Sequence, residues 1–171
     1  CGYILGPRLN AAGRVGDAAD GLRLLLTDDP AEAAELARRL EQLNTERQEL
    51  DQRMLDQALE RVALASELGA GIVLDGEDWH PGVVGIVASR VVERFGRPTF
   101  LIAFDGEIGR GSGRSISRFD LHAALTEWSQ AYAENGDGLR SLAVVFSGPD
   151  NLDERAFEAA LWERIQSLSD K

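Results

Sequence analysis

Apolar residues recur through the central part of the chain at the spacing of an α-helix. The stripe consists of Leu36, Leu40, Leu43, Leu50, Met54, Ala58 and Val62. Arg47 occupies the one position of this stripe that is not apolar. The pattern predicts a single helix over residues 30–68, ended by Gly69 and roughly 55–60 Å long. A helix of that length is longer than a small domain, so we interpret it as a strut between two domains; a coiled-coil partner helix is the alternative.

Residues before the long helix carry turn and cap signals. Residues 1–16 are rich in glycine and predict an extended or looped segment, followed by a short helix over 18–26. Asp29 and Pro30 then form a helix start, with Asp29 as the N-cap and Glu32 three residues after it. The expected domain boundaries are therefore 1–29, 30–68 and 69–171.

After the long helix, strand and helix patterns alternate. The expected order is β-α-β-β-α-β-α, with strands at 72–74, 99–104, 110–116 and 139–146 and helices at 81–95, 120–134 and 153–168. The second and third strands are close enough to form a hairpin with a loop of three to five residues. This order predicts an α/β fold in which a small mixed β-sheet carries flanking helices.

Charge is distributed unevenly along the 171 residues. The formal net charge of −11 excludes a uniformly basic nucleic-acid coat protein. Residues 82–122, however, carry 6 basic and 4 acidic groups, whereas both flanks are acidic. A polyanion would therefore bind at a local patch; charges scattered over a solvated surface are the alternative.

Several chemistries have no motif here. No apolar run approaches the length of a membrane span and no signal peptide precedes the first helix, so we expect a cytoplasmic location. The chain contains no P-loop, no GxSxG and no HExxH sequence. Asp78 and His80 are the nearest approach to a metal site, but two ligands are too few, and we expect Trp79 in the core with His80 hydrogen-bonded at a corner.

The segment RGSGRS at residues 110–115 gives the strongest indication of a ligand-binding site in the sequence. On a strand, alternate residues share a face, so Arg110, Ser112 and Arg114 would project to the same side. Two guanidinium groups and a hydroxyl arranged in this way suit a terminal phosphate or a pair of backbone phosphates. The interleaved glycines indicate a close approach to the backbone. The alternative is a glycine-rich hairpin arm with solvated arginines.

Two weaker signals accompany this segment. The sequence GPRLNAAGR places Arg8, Asn10 and Arg14 in a second basic, glycine-flanked cluster. Phe119, beside Arg118, is the best candidate for stacking on a base.

Five blocks occur in a specific order: GPRLNAAGR, LNTERQE, DGEDWHPGVVGIVASRVVERFGRPTFLIAF, RGSGRS and FDLHAAL. Together, over residues 2–127, they resemble the RecJ-like single-stranded-DNA exonucleases of the DHH phosphoesterase family. The resemblance implies that residues 1–29 are the tail of a catalytic DHH domain, 30–68 its connecting helix and 69–171 a DHH-associated substrate-binding domain. It implies 5′-to-3′ degradation of single-stranded DNA, in repair and recombination.

The resemblance also assigns roles. Ser112 and Arg114 would bind the 5′-phosphate, assisted by Arg14 or Arg8. Arg110 and Asn10, from the residue patterns above, are further candidates for binding the phosphate and the backbone. The manganese or magnesium of the family binds in motifs that this chain does not contain, so we expect no metal and no catalysis from the chain alone. Single-strand-binding protein or a helicase would be its protein partner.

One block departs from the family. Residues 137–144 read DGLRSLAV where the family has GGHxxAAG, so Leu139 replaces a histidine close to the scissile site. The C-terminal OB-fold of the family is also missing. Two other functions therefore stay open: a non-catalytic scaffold or interaction module, and an oligonucleotide or cyclic-dinucleotide phosphoesterase fragment.

Overall fold

A computed structural model describes residues 2–65, 68–106, 108–117 and 119–125. The chain divides between Arg53 and Met54 into two compact units. Within the described ranges, no helix combines the length and the apolar character that crossing a membrane requires.

The first unit opens with helix α1, Leu5–Val15, where the sequence predicted a loop. That prediction is wrong, and the reason lies in where the helix-breaking residues fall. Pro7 occupies the first turn, where a backbone N–H has no helical acceptor to lose. Ala11 and Ala12 are fully buried and hold the helix in place. Gly16 ends it by donating its N–H to the carbonyl of Ala12 at 3.0 Å.

Helix α2, Ala18–Leu26, confirms the predicted short helix and leads into the start of helix α3, Pro30–Leu64. Asp29 caps α3 as predicted, since its Oδ1 accepts the N–H of Ala31 at 2.9 Å. Glu32 does not fold back onto the cap. Its carboxylate instead accepts from the Thr27 hydroxyl and from Arg23 Nη2, each at 2.6 Å, and so links α3 to α2.

The stability of this junction should depend on pH through Glu32. The hydrogen bond from Thr27, reinforced by Arg23, holds the pKa of the Glu32 carboxyl below its usual range. The contribution is therefore complete above the ordinary glutamate pKa of about 4.3 and is lost as the pH falls through the lower, folded value. We expect Glu32→Gln to lower the free energy of unfolding at pH 7 and to converge with the wild type in acid. Urea unfolding from neutral pH downward checks this; parallel curves at every pH would contradict it.

Helix α3 has 35 residues and is about 50 Å long, ending four residues earlier than predicted. The apolar stripe is confirmed, because Leu36, Leu40, Met54, Ala58 and Val62 are all buried and Leu43 and Leu50 are partly so. At the skipped position, Arg47 donates to Asn44 Oδ1 at 3.0 Å and lies 3.8 Å from a carboxylate oxygen of Asp51. The stripe therefore includes one polar position, at which the guanidinium of Arg47 lies close to the buried carboxylate of Asp51.

The second unit contains a three-stranded sheet in the order β1-β2-β3. Its elements are strand β1, Ile72–Gly76, helix α4, Val84–Phe95, strand β2, Thr99–Asp105, and strand β3, Ile108–Arg114. β1 and β2 are parallel and β2 and β3 antiparallel, which confirms the predicted mixed sheet. The hairpin loop has two residues instead of three to five, because Asp105 pairs with Ile108; Gly106, at φ 58°, makes so short a turn accessible.

The two faces of the sheet are covered differently. Helix α4 packs on one face with its buried residues Val84, Val87, Ala88 and Val91. The other face carries a hydrophobic cluster made of Phe100, Ile102, Phe119, Leu121, Ala124 and Leu125. Asp120 begins the helical residues 121–125, since its Oδ1 accepts the N–H of Ala123 at 2.9 Å. The rest of that predicted helix, the strand at 139–146 and the helix at 153–168 lie outside the described residues.

Candidate functional site

The segment between β1 and α4 forms a hydrogen-bonded corner, as the sequence predicted. Trp79 is 4% exposed, and its Nε1 donates to Gln57 Oε1 at 2.7 Å. His80 Nδ1 accepts the N–H of Gly82 at 3.0 Å. Within the described ranges, no group of three or more His, Cys, Asp or Glu side chains could hold a metal ion. We therefore assign the described residues no step that involves a metal.

Strand β3 presents Arg110, Ser112 and Arg114 on one face, as its alternation predicted. They lie opposite Ala103, Leu101 and Thr99 of β2, respectively. Arg110 is exposed, whereas Ser112 and Arg114 are partly buried. The shared face is the one on which α4 packs, because Ser112 and Arg114 both lie next to Gly85 of that helix.

The three glycines of β3 serve the opposite face. A Cβ at Gly111 would lie 2.6 Å from the ring of Phe100, and one at Gly113 would lie 2.6 Å from the side chain of Leu121. Gly109 meets Ile102 and Phe104 in the same way. The close approach that the glycines indicated is therefore that of core side chains, which cover the strand and fix its register.

Arg114 donates hydrogen bonds to uncharged oxygens of β3 and α4. Its Nη1 donates to Ser112 Oγ at 3.0 Å and to the carbonyl of Gly113 at 2.6 Å. Its Nε donates to Ser89 Oγ, on α4, at 3.1 Å. We refer to Gly85, Ser89, Ser112 and Arg114 as the Arg114 cluster. Because the guanidinium donates hydrogen bonds to residues of both β3 and α4, its plane is oriented relative to both elements.

Gly85 lets the first turn of α4 approach this guanidinium. A Cβ on Gly85 would lie 2.8 Å from Arg114 Nη2, closer than real Cβ atoms come, and 3.0 Å from Ser112 Oγ, which is also tight. The first turn of a helix exposes backbone N–H groups and is the positive end of the helix dipole. Val83, the N-cap of α4, supplies no side-chain cap. A cation at this end is repelled by the positive end of the helix dipole. The guanidinium and the helix N-terminus together, however, attract an anion.

Sequence reasoning missed two members of this cluster, Gly85 and Ser89. A signal for them exists in VGIVASR, where the two small residues are four positions apart and so share one side of the helix. Small residues on one side indicate a close approach by a neighbouring element. Which element approaches, and with which side chain, required the strand register.

The second predicted basic cluster lies on α1, in the other unit. Asn10 and Arg14 are exposed and four residues apart, so they share one side of the helix. Arg8 takes a different side: its Nε is paired with Glu41 Oε2 of α3, and its Nη1 donates to the carbonyl of Ile4 at 2.6 Å. The helix thus separates Arg8 from the other two members of the cluster.

Phe119 is buried, contrary to its predicted role in base stacking. None of its surface is exposed, and its ring belongs to the hydrophobic cluster beneath β3. Its carbonyl accepts the hydroxyl of Ser115 at 2.6 Å, which ties it to the strand. The aromatic ring is part of the hydrophobic core, on the face of the sheet where the β3 glycines lie.

Phe119→Leu tests this reassignment. We expect the loss of a packed ring to lower the free energy of unfolding by about 1 kcal/mol and to leave binding of single-stranded DNA unchanged. Urea unfolding and fluorescence anisotropy with a labelled strand measure the two effects. Weaker DNA binding by a fully folded variant would restore the stacking role.

A family model described as the DHHA1 domain matches residues 63–167. Among curated proteins, the single-stranded-DNA-specific exonuclease RecJ of Salmonella typhimurium is 45% identical over 168 residues, covering 92% of this chain and 28% of that protein. The protein of the same name from Bacillus subtilis is 45% identical over 128 residues, covering 74% of this chain and 16% of its own length. The chain thus spans less than a third of either relative.

Solved structures give the same result. A crystal structure of exonuclease RecJ bound to manganese is 44% identical and superposes with a TM-score of 0.65, over 72% of this chain and 30% of that one. RecJ from Thermus thermophilus in complex with Mg²⁺ is 37% identical with a TM-score of 0.70, over 98% of this chain and 25% of that one. This chain therefore belongs to the DHHA1 domain family, and the relatives named here that it resembles are RecJ exonucleases.

Proposed function

We propose that this chain is the nucleic-acid-binding portion of a RecJ-like 5′-to-3′ single-stranded-DNA exonuclease, in which the Arg114 cluster binds the 5′-terminal phosphate. The relatives named above are exonucleases specific for single-stranded DNA. Hydrolysis and its manganese or magnesium belong, in this proposal, to a catalytic DHH domain of the longer protein. The chain by itself binds the strand without cleaving it.

The observation that carries the proposal is the location of Arg114 at the start of α4. A guanidinium beside the positive end of a helix is unfavourable for stability. Hydrogen bonds to Ser89, Ser112 and Gly113 nevertheless hold it there, and the residue of α4 that it approaches is a glycine, Gly85. An anion at this point would be stabilised by the guanidinium and by the helix N-terminus together, which is the arrangement that phosphate groups require.

Ser112 completes the chemistry of the site. Its Oγ accepts a hydrogen bond from Arg114, so its own proton is directed away from the guanidinium. That O–H can donate to a phosphate oxygen. A terminal phosphate carries more charge and more unesterified oxygens than an internal one, and a site with several converging donors distinguishes the two on that basis.

Arg110 lies further along the same face and is exposed. We assign it to a phosphate inside the strand, where it adds affinity without reading the end. Two further roles stay predictions: that Arg14 or Arg8 assists at the 5′-phosphate, as the family resemblance implies, and that Asn10 of the same cluster contributes to binding. We likewise expect a cytoplasmic protein that cooperates with single-strand-binding protein or a helicase.

Fluorescence anisotropy of the 171-residue chain tests the proposal. The probes are two labelled single strands of the same sequence, one with a 5′-phosphate and one with a 5′-hydroxyl, each at two salt concentrations. We expect tighter binding of the phosphorylated strand, with a steeper loss of affinity at higher salt, because an additional charge is neutralised. Equal affinity for the two strands would overturn the end-binding assignment. Absence of binding to both would favour an interaction module.

A further inference from the structure

Ser89 contacts Arg114 but is not placed to contact a ligand. Its Oγ accepts from Arg114 Nε at 3.1 Å and donates to the carbonyl of Gly85, one turn earlier in α4, at 3.1 Å. A serine hydroxyl has a single proton. Since that proton is donated to Gly85, Ser89 cannot also donate it to a phosphate.

The two serines of the Arg114 cluster therefore differ in chemistry. Ser112 lies on β3 beside the Nη1 end of the guanidinium, and among the described residues its hydroxyl accepts a bond without donating one. Ser89 lies on α4 at the Nε side and has committed its proton within the helix. The bond to Nε restricts rotation of the guanidinium about its long stem, which would otherwise be flexible.

We propose that Ser89 is a positioning residue for recognition of the 5′-phosphate: it orients Arg114 so that Nη2 faces the first turn of α4. This inference rests on the proposed function, because it concerns the same site. The bond to Ser89 ties the guanidinium to α4, whereas Ser112 and Gly113 tie it to its own strand. Without the Ser89 hydroxyl, the hydrogen bond from Arg114 Nε to α4 is lost and the guanidinium is less firmly oriented relative to the helix N-terminus.

Three variants of the full 171-residue chain test this role. Ser89→Ala removes the hydroxyl, and Ser89→Thr keeps one. Ser115→Ala is the matched control, since the Ser115 hydroxyl donates its proton to the carbonyl of Phe119 at 2.6 Å. The readouts are the ratio of affinities for 5′-phosphorylated and 5′-hydroxyl strands, the urea midpoint, and the hydrogen-exchange rate of the Arg114 Nε–H by NMR.

We expect Ser89→Ala to reduce the affinity ratio by about five- to tenfold, the size of effect that the loss of one typical hydrogen bond has. Exchange of the Arg114 Nε–H should accelerate, while the urea midpoint stays close to that of the wild type because alanine favours a helix. Ser89→Thr should restore most of the ratio. Ser115→Ala should lower the midpoint and leave the ratio unchanged.

The outcomes separate this inference from the proposed function. If the wild type itself shows no preference for the phosphorylated strand, the proposed function fails. If the wild type shows the preference and Ser89→Ala retains it in full, the positioning role is overturned while the proposed function stands. An equal loss of the ratio in Ser89→Ala and Ser115→Ala would also overturn it, by showing that any loosening of this region has the same effect.

Discussion

Replacing Gly85 by alanine is expected to remove the preference for a 5′-phosphate while the fold is retained. The new Cβ would lie 2.8 Å from Arg114 Nη2 and 3.0 Å from Ser112 Oγ. Both are ends of side chains, so they can move, and the Arg114 cluster would be displaced with little effect on the backbone. Alanine in a helix is also favoured over glycine by about 0.5–1 kcal/mol, which offsets the lost contacts. We therefore expect Gly85→Ala to lower the selectivity for a 5′-phosphate without lowering the stability of the fold.

Anisotropy with the phosphorylated and hydroxylated strands, together with urea unfolding, measures this separation. We expect a loss of about 1–2 kcal/mol in affinity for the phosphorylated strand alone. Gly6→Ala is the matched control, because Gly6 lies in α1 and a Cβ there meets no atom within 4 Å. That variant should gain the stability of an added alanine without any change in binding. A Gly85→Ala chain that keeps its preference would show that the phosphate binds elsewhere.

Arg114→Ala should have the largest effect on binding. It removes the charge and the fork of donors from the cluster, and we expect affinity for the phosphorylated strand to fall by about 1–3 kcal/mol, roughly 5- to 150-fold. The affinity for the hydroxylated strand should change little. Arg114→Lys should recover only part of the loss, because an ammonium group keeps the charge but cannot donate to Ser89 and Ser112 in the same plane.

Arg94→Ala provides the matched change in net charge. Arg94 lies in the last turn of α4, the opposite end of that helix from Gly85, and its guanidinium is 5.9 Å from the centre of the Phe95 ring. We expect a small loss that is equal for the two strands, as a general electrostatic effect requires. A loss of the same size in Arg114→Ala, again equal for both strands, would contradict recognition of the end.

Short-range patterns in the sequence predicted most of the local structure. The alternation of β3 correctly placed Arg110, Ser112 and Arg114 on one face, because side chains of a strand alternate whatever surrounds it. The cap at Asp29 was predicted for the same kind of reason, since a carboxylate bonds to an N–H only two residues away.

Predictions were wrong where a residue type serves opposite purposes in different surroundings. Glycine and proline in residues 1–16 suggested a loop, yet Pro7 falls in the first turn of α1 and Gly16 at its end, where both are tolerated. Phe119 next to an arginine resembled a stacking platform, yet its ring fills the space left by the glycines of β3. Burial decides between these meanings, and burial depends on contacts between distant segments.

The sequence by itself determined the helix periods, the strand alternation and the family, because these depend on residue spacing and on blocks of neighbouring residues. Only the tertiary structure decided the membership of the Arg114 cluster. Ser89 and Arg114 are 25 positions apart, and their contact exists because α4 crosses the sheet over β3. The same packing leaves no room for a side chain at Gly85 and places the β3 glycines against core side chains. A site made by two elements is defined by how they pack, which no local pattern specifies.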